Sequence, residues 1–94
     1  IAADGTHSKF SDIAGLTDEV KIATVRSGDC QGGFTPGQAF TGSGTAGQIV
    51  RISSDGTTVD NPWITLPGEG GLMRGSIFQD RYCSFGGDLI VVTT

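Results

Sequence analysis

The chain opens with Ile1-Ala2-Ala3-Asp4-Gly5-Thr6, and the same pattern returns as Ile52-Ser53-Ser54-Asp55-Gly56-Thr57. After each copy the features follow in the same order: an aromatic-led apolar stretch, an alternating stretch (20–25 matched with 74–79), a cysteine and a further apolar stretch. Self-similarity at a period of about fifty residues indicates stacked structural repeats. We therefore interpret residues 1–94 as one β segment, with repeat 1 at about 1–51 and an incomplete repeat 2 at about 52–94.

Alternation of apolar residues predicts the strands of each repeat. No window of a dozen residues keeps helical spacing without a glycine or proline, so almost no helix is expected. The predicted strands lie at 9–16, 20–26, 38–42, 48–53, 59–66, 74–79 and 88–93.

The fold class expected from these strands is all-β. Four strands in a unit of this length predict the antiparallel four-stranded blade of a β-propeller. The strands at 38–42, 48–53, 59–66 and 74–79 would then form one complete blade, flanked by two incomplete ones. A small β-sandwich is the alternative, because many short strands in 94 residues also suit that fold.

Composition limits the classes of partner. The net charge is −4 and the six basic residues are scattered singly, so the basic patch that nucleic acid requires is missing. The apolar run 89–92 is far shorter than the roughly 20 residues of a membrane-spanning helix. We expect no nucleic acid, no membrane span and no cofactor. Abundant glycine (16 residues) with few charges (17%) favours an exported protein, extracellular or periplasmic.

The two Asp-Gly pairs predict hairpin turns, because a two-residue turn needs positive φ angles that this dipeptide supplies. Calcium binding by Asp4 and Asp55 is the functional alternative. However, neither residue begins the alternating oxygen ladder with a later glutamate that a calcium loop has, so no metal site is expected. His7 is the only histidine; it aligns with Thr58 of the second repeat, which favours a surface role.

The two cysteines, Cys30 and Cys83, occupy matching places in successive repeats. Equivalent points of neighbouring blades usually lie farther apart than the ~7 Å between Cα atoms that a disulfide allows, whereas exported proteins tend to oxidise their thiols. The pairing therefore stays open, and partly buried thiols or bridges to other cysteines are favoured. No paired-cysteine motif or Cys/His cluster supports zinc or haem.

Three acidic residues form the sharpest catalytic hypothesis. Asp18, Glu19 and Glu69 stand in corresponding loops of the two repeats, where a pair of acids could act as acid and base or hold a cation. The simpler interpretation is that they are solvated charges or partners of Lys21 and Arg74, since exposed pairs of this kind are common.

Aromatic residues recur at the start of one predicted strand and after the cysteine loops. We expect them to fill the wedge between neighbouring blades, with a sugar-stacking surface as the alternative. These residues are Phe10, Phe34, Phe40, Trp63, Phe78 and Phe85.

The stretch 47–94 resembles blades of bacterial NHL-type or streptogramin-lyase-like β-propellers. The resemblance is carried by Gly47-Gln48-Ile49-Val50-Arg51-Ile52-Ser53-Ser54-Asp55-Gly56, Asn61-Pro62-Trp63, Leu72-Met73-Arg74-Gly75-Ser76 and Phe85-Gly86-Gly87-Asp88-Leu89-Ile90-Val91-Val92-Thr93-Thr94. These are turn and strand residues. Such families range from binding scaffolds to lactonases and lyases, and no catalytic motif of those enzymes matches residue by residue.

These features favour a non-enzymatic propeller segment that acts as a scaffold or interaction module. The alternatives are part of a propeller hydrolase or lyase acting on a small ester, lactone or sugar, and a β-sandwich subunit of a shell or filament. Both ends of the sequence fall within predicted blades, which would leave strand edges unpaired. The expected partners are the remainder of its own chain or further copies, joined through these open edges.

Overall fold

The computed structural model describes residues 1–16, 21–28, 30–71 and 76–93. In this part of the chain all the regular elements are antiparallel strands. It contains no helix, and hence none able to cross a membrane. The all-β prediction is confirmed. The strands are β1 (Ile22–Thr24), β2 (Ala39–Gly42), β3 (Gln48–Ile52), β4 (Val59–Thr65), β5 (Ser76–Gln79) and β6 (Leu89–Val92).

The strands form two sheets. Four of them make an antiparallel sheet in the order β1-β2-β3-β4, and β5 pairs with β6 in a separate two-stranded sheet. β4 lies at an edge of the larger sheet. Pro62, which has no N–H group to donate to a neighbouring strand, is accommodated in this edge strand.

The predicted grouping of strands is wrong at one position. The strand expected at 74–79 to complete the blade, now β5, pairs with β6, and β1 takes the fourth place beside β2. Each cysteine-bearing loop closes an antiparallel hairpin, which explains the difference. Val25 N donates to Gln38 O at 2.9 Å in the first hairpin, and Asp80 N donates to Asp88 O at 2.8 Å in the second.

The predicted strand at 9–16 is also not formed. This segment lies across one face of the four-stranded sheet, where Ile13 packs against the cluster of Ala39, Val50 and Ile52. Asn61 Nδ2 donates to the carbonyl oxygen of Ala14 at 3.0 Å. A strand needs a partner backbone as well as alternating side chains, and the described strands offer this segment a face rather than an edge.

On the opposite face of the four-stranded sheet, the β5–β6 hairpin lies next to β1 and contributes to a shared core. Between them lies the larger core cluster, in which Phe40 is fully buried. The described chain is therefore layered around the four-stranded sheet, with segment 9–16 on one face and apolar residues of the hairpin in the core at the other. The larger cluster consists of Ala23, Val25, Phe40, Ile49 and Ile77, with Phe34, Trp63, Ile64, Leu66, Leu89 and Val91 packed against it.

The two Asp-Gly turns share their geometry. Gly5 N donates to Ala2 O at 2.9 Å, and Gly56 N donates to Ser53 O at 2.9 Å. The two glycines have φ angles of 89° and 77°. Positive φ falls on the glycine alone, so these are turns of more than two residues rather than the two-residue turns that the dipeptide predicted. The repeated sequence pattern thus corresponds to a repeated local structure.

Candidate functional site

The acids of the catalytic hypothesis are not brought together by the described residues. Asp18 and Glu19 lie outside the part of the chain that the structure describes. Glu69 is half-buried, and its Oε1 accepts a hydrogen bond from Gly71 N at 2.7 Å within the same loop. His7 is exposed, as expected for a surface role. Glu69 therefore acts as a hydrogen-bond acceptor within its own loop.

Asp4 and Asp55 act as acceptors inside their turns. Asp55 Oδ1 accepts from the hydroxyls of Ser53 and Thr57, each at 2.7 Å, and from Thr57 N at 3.1 Å. Asp4 Oδ1 accepts from Thr6 Oγ1 at 2.7 Å and from Thr6 N at 3.0 Å. The Thr57 and Ser53 hydroxyls, with the Thr57 N–H, lower the pKa of Asp55 to about 2, since they favour the charged form.

These hydrogen bonds give each of the two carboxylates a structural role within its own turn. Across residues 1–16, 21–28, 30–71 and 76–93, no three histidine, cysteine, aspartate or glutamate residues are grouped so that they could hold an ion.

Cys30 and Cys83 form a disulfide, the state that the sequence left open and did not favour. Their Cα atoms are 5.5 Å apart, within the range that a disulfide requires. The loops that carry them lie side by side, and Cys30 N donates to Arg81 O at 2.9 Å. We call residues 26–38 (described except for residue 29) and 80–88 the stapled loops. A disulfide is consistent with an oxidising compartment.

Two glycines allow the stapled loops to approach each other. A Cβ on Gly32 would overlap the carbonyl group of Gly87, and a Cβ on Gly87 would lie 3.0 Å from Cys30 Sγ. Both glycines also have positive φ angles, of 56° and 85°. Only glycine meets both requirements without strain.

Gln79, at the end of β5, ties the stapled loops to the sheet. Its side chain is 6% exposed. Its Nε2 lies 2.9 Å from Cys30 O in one loop and 2.8 Å from Gly87 O in the other, with Asp80 O at 3.3 Å. A buried amide whose donors meet carbonyl oxygens of both loops fixes their relative position.

Asp80 holds the second stapled loop from inside. The residue is 5% exposed. Ser84 N donates to its Oδ1 at 3.2 Å, and Phe85 N and Gly87 N both donate to its Oδ2, the latter at 3.1 Å. Burial opposes the charge, but the backbone N–H donors outweigh it and lower the pKa of Asp80. Hydrogen bonds to an ionised acceptor are stronger than neutral ones, so this carboxylate orders the loop.

Acid is expected to destabilise the protein through Asp80. Because its pKa is lower in the folded than in the unfolded chain, its contribution is fully present above the unfolded pKa of about 3.9 and is lost as pH falls through the folded pKa. We expect Asp80→Asn to be less stable than the wild type at neutral pH and to lose part of the acid dependence. Denaturant unfolding between about pH 2 and 6 measures both effects.

Asp12→Asn is the matched control, because Asp12 is exposed and its ion-pair partner, Lys9 at 3.0 Å, is exposed as well. It should keep the wild-type profile. An Asp80→Asn profile parallel to that of the wild type, with no loss of stability at neutral pH, would contradict this role.

The second stapled loop presents two exposed aromatic side chains. Tyr82 is 76% exposed and Phe85 is 64% exposed. The Arg81 guanidinium lies 4.8 Å from the centroid of the Tyr82 ring, a cation–π distance. Between the two aromatics stands Cys83, the one described non-glycine residue with a positive φ, 60°. The aromatics are therefore carried by a loop that the disulfide, Gln79 and Asp80 hold in place.

Sequence reasoning considered Phe85 as a filler between blades and missed Tyr82. Three of the six aromatics in that set, Phe34, Phe40 and Trp63, lie together in the larger core cluster. Phe40 lies 5.1 Å from both Phe34 and Trp63 between ring centroids. The remaining aromatics of that set, Phe10, Phe78 and Phe85, are exposed. The sequence feature that could have indicated this exposed loop is an aromatic residue next to a cysteine in a glycine-rich connection.

Comparison of the chain with protein-family models, curated proteins and solved structures gave no match. The candidate site therefore rests on its own geometry: two loops joined by a disulfide, with Tyr82 and Phe85 exposed on the second and Arg81 against the Tyr82 ring.

Proposed function

We propose that the chain is a non-enzymatic β-propeller segment that serves an exported protein as a scaffold and binding module, with the stapled loops as its binding surface. The observation that carries this proposal is the exposure of Tyr82 and Phe85 on a loop fixed by a disulfide, a buried amide and a buried carboxylate.

The layered packing supports the propeller part of the proposal. The four-stranded antiparallel sheet has Ile13 of the preceding segment packed on one face and shares a core with Ile77 of the β5–β6 hairpin on the other. Propeller blades stack in this way, and the resemblance to NHL-type repeats agrees with it. The disulfide supports export, because disulfides persist in oxidising compartments.

The composition of the loop surface favours a peptide or protein partner. Tyrosine, phenylalanine and arginine are enriched at protein interfaces, and Arg81, Tyr82 and Phe85 stand together in one loop. A loop that is already ordered loses little conformational entropy on binding, so each contact contributes more to affinity.

Selection of peptides from a displayed library against the purified protein tests the binding surface. We expect the double variant Tyr82→Ala, Phe85→Ala to bind the selected peptides at least about tenfold more weakly. Phe10→Ala is the control, since Phe10 is also an exposed aromatic, 56%, but lies outside the loops. Equal affinity of the double variant, or binding of a glycan array with no peptide selected, would overturn the proposal.

A β-sandwich subunit of a shell or filament is the second candidate. The observation in its favour is that two antiparallel sheets contribute to one core, as the sheets of a sandwich do. A hydrolase or lyase is less well supported, because the described member of the acidic set, Glu69, is bonded within its own loop.

A further inference from the structure

Cys83 holds an unfavourable backbone conformation in the second stapled loop. Its φ angle is 60°, in the left-handed region that costs a residue with a side chain free energy. Such a conformation persists only where the surrounding structure enforces it. Tyr82, one of the two exposed aromatics of the proposed binding surface, directly precedes Cys83 in the chain, so the backbone of Cys83 helps to set the direction of Tyr82.

The two exposed aromatics are held by different constraints. Phe85 N and Gly87 N donate to the buried Asp80 carboxylate, so Asp80 orders the later part of the loop. The hydrogen bond from Cys83 N to Asp80 O is 3.4 Å long, beyond the roughly 2.7–3.2 Å of a typical N–H···O bond. The covalent link to Cys30 is therefore the firmest constraint on Cys83, whereas Phe85 is ordered by Asp80.

The disulfide is open to thiol–disulfide exchange from its Cys83 side. Cys83 is exposed, whereas Cys30 is half-buried. A thiolate of a dithiol attacks Cys83 Sγ, the S–S bond breaks, and Cys30 leaves as a thiolate that takes up a proton. The second thiol of the dithiol then displaces Cys83, so that two electrons and two protons pass to the two cysteines and the dithiol becomes a disulfide. Exposed or strained disulfides are the readily reduced ones.

We propose that the Cys30–Cys83 disulfide is a redox switch on the binding surface, and that a dithiol weakens binding by releasing Tyr82. In the oxidised chain the disulfide keeps Cys83 at a positive φ. After reduction Cys83 relaxes to a negative φ and turns Tyr82 away, while Asp80 keeps Phe85 in place. This inference rests on the proposed binding function and adds the regulation of the same surface.

Peptide affinity before and after treatment with the dithiol dithiothreitol tests the switch. Reduction should weaken binding of the library-selected peptides by the same factor as Tyr82→Ala does in the oxidised protein. It should weaken the Tyr82→Ala variant no further, because both changes remove one and the same contact. Equal affinity of the oxidised and reduced wild type overturns the inference, as does a further loss in Tyr82→Ala or a disulfide that dithiothreitol reduces only in unfolding concentrations of urea.

A pair of matched variants separates the backbone effect from the loss of the covalent bond. Both Cys30→Ala, Cys83→Gly and Cys30→Ala, Cys83→Ala lack the disulfide. Glycine adopts a positive φ without strain, whereas alanine does not. The variant with glycine should therefore bind the peptides more tightly than the variant with alanine. Equal binding by the two would mean that the φ angle of residue 83 does not position Tyr82, which contradicts the proposed switch.

Digestion with chymotrypsin, followed by mass spectrometry, tests the release of Tyr82 without any peptide. Reduction should raise the rate of cleavage after Tyr82 and leave unchanged the rate after Phe10, which is 56% exposed and lies outside the stapled loops. An unchanged rate after Tyr82, or an equal rise at both sites, overturns the inference. Faster cleavage after Tyr82 in a protein that selects no peptide supports its release and defeats the binding function. Peptide binding that reduction leaves unchanged defeats the switch alone.

Discussion

Replacing both cysteines with alanine is expected to lower the free energy of unfolding by about 2 to 4 kcal/mol. Cys30 and Cys83 are 53 residues apart in sequence, and closing a loop of that length restricts the unfolded chain by about 4 kcal/mol in the chain-entropy account. The lower end of the range applies if the unfolded chain without the disulfide retains residual structure. Denaturant unfolding followed by the fluorescence of Trp63, the single tryptophan, measures the change.

Reduction of the wild type supplies the control for the cysteine substitutions. The reduced wild type should unfold near the midpoint of the double variant, and a reductant should leave the double variant unchanged. If oxidised wild type and double variant unfold with the same free energy, the disulfide contributes nothing and the stapled loops are held by their hydrogen bonds alone.

Phe40→Ala is expected to lower the free energy of unfolding by about 3 to 5 kcal/mol. Its ring is fully buried between the four-stranded sheet and the β5–β6 hairpin, with the rings of Phe34 and Trp63 5.1 Å away between centroids. The substitution removes the aromatic surface and leaves a cavity between two layers. Domains of this size have a total stability of only about 5 to 15 kcal/mol, so part of the variant should be unfolded at elevated temperature.

Phe85→Ala is the matched control for this loss, because it deletes the same side chain at a site that is 64% exposed. Its effect on stability should stay within about 0.5 kcal/mol. Equal losses for the two substitutions would mean that Phe40 does not form the centre of the core.

Local patterns predicted the strands well and their pairing less well. The stretch 48–53 was recognised because alternating apolar residues and a following Asp-Gly turn act within a few residues, and β3 is Gln48–Ile52. Which strand lies beside which is decided by contacts distant in sequence. The placement of β1 beside β2 depends on how the stapled loop closes, and alternation carries no information about that closure.

The candidate site escaped sequence reasoning for a related reason. Asp80 gave no motif, because its acceptor role depends on a loop that folds back to place the N–H groups of Ser84, Phe85 and Gly87 around it. The sequence did not favour the disulfide, because equivalent points of neighbouring propeller blades usually lie too far apart for one. Gly32, which allows the close approach, was visible in the sequence, but its contact with Gly87 was not.

The layered arrangement of the sheets is the central claim, since the position of the stapled loops follows from it. Backbone and side-chain NOEs of the labelled protein in solution test it most directly. We expect backbone NOEs between Ala23 and Phe40 and between Phe78 and Ile90, the opposed pairs of two separate sheets, with side-chain NOEs from Ile77 to the four-stranded sheet. Backbone NOEs that pair β5 with β4 would instead make β5 a strand of that sheet and would contradict the arrangement.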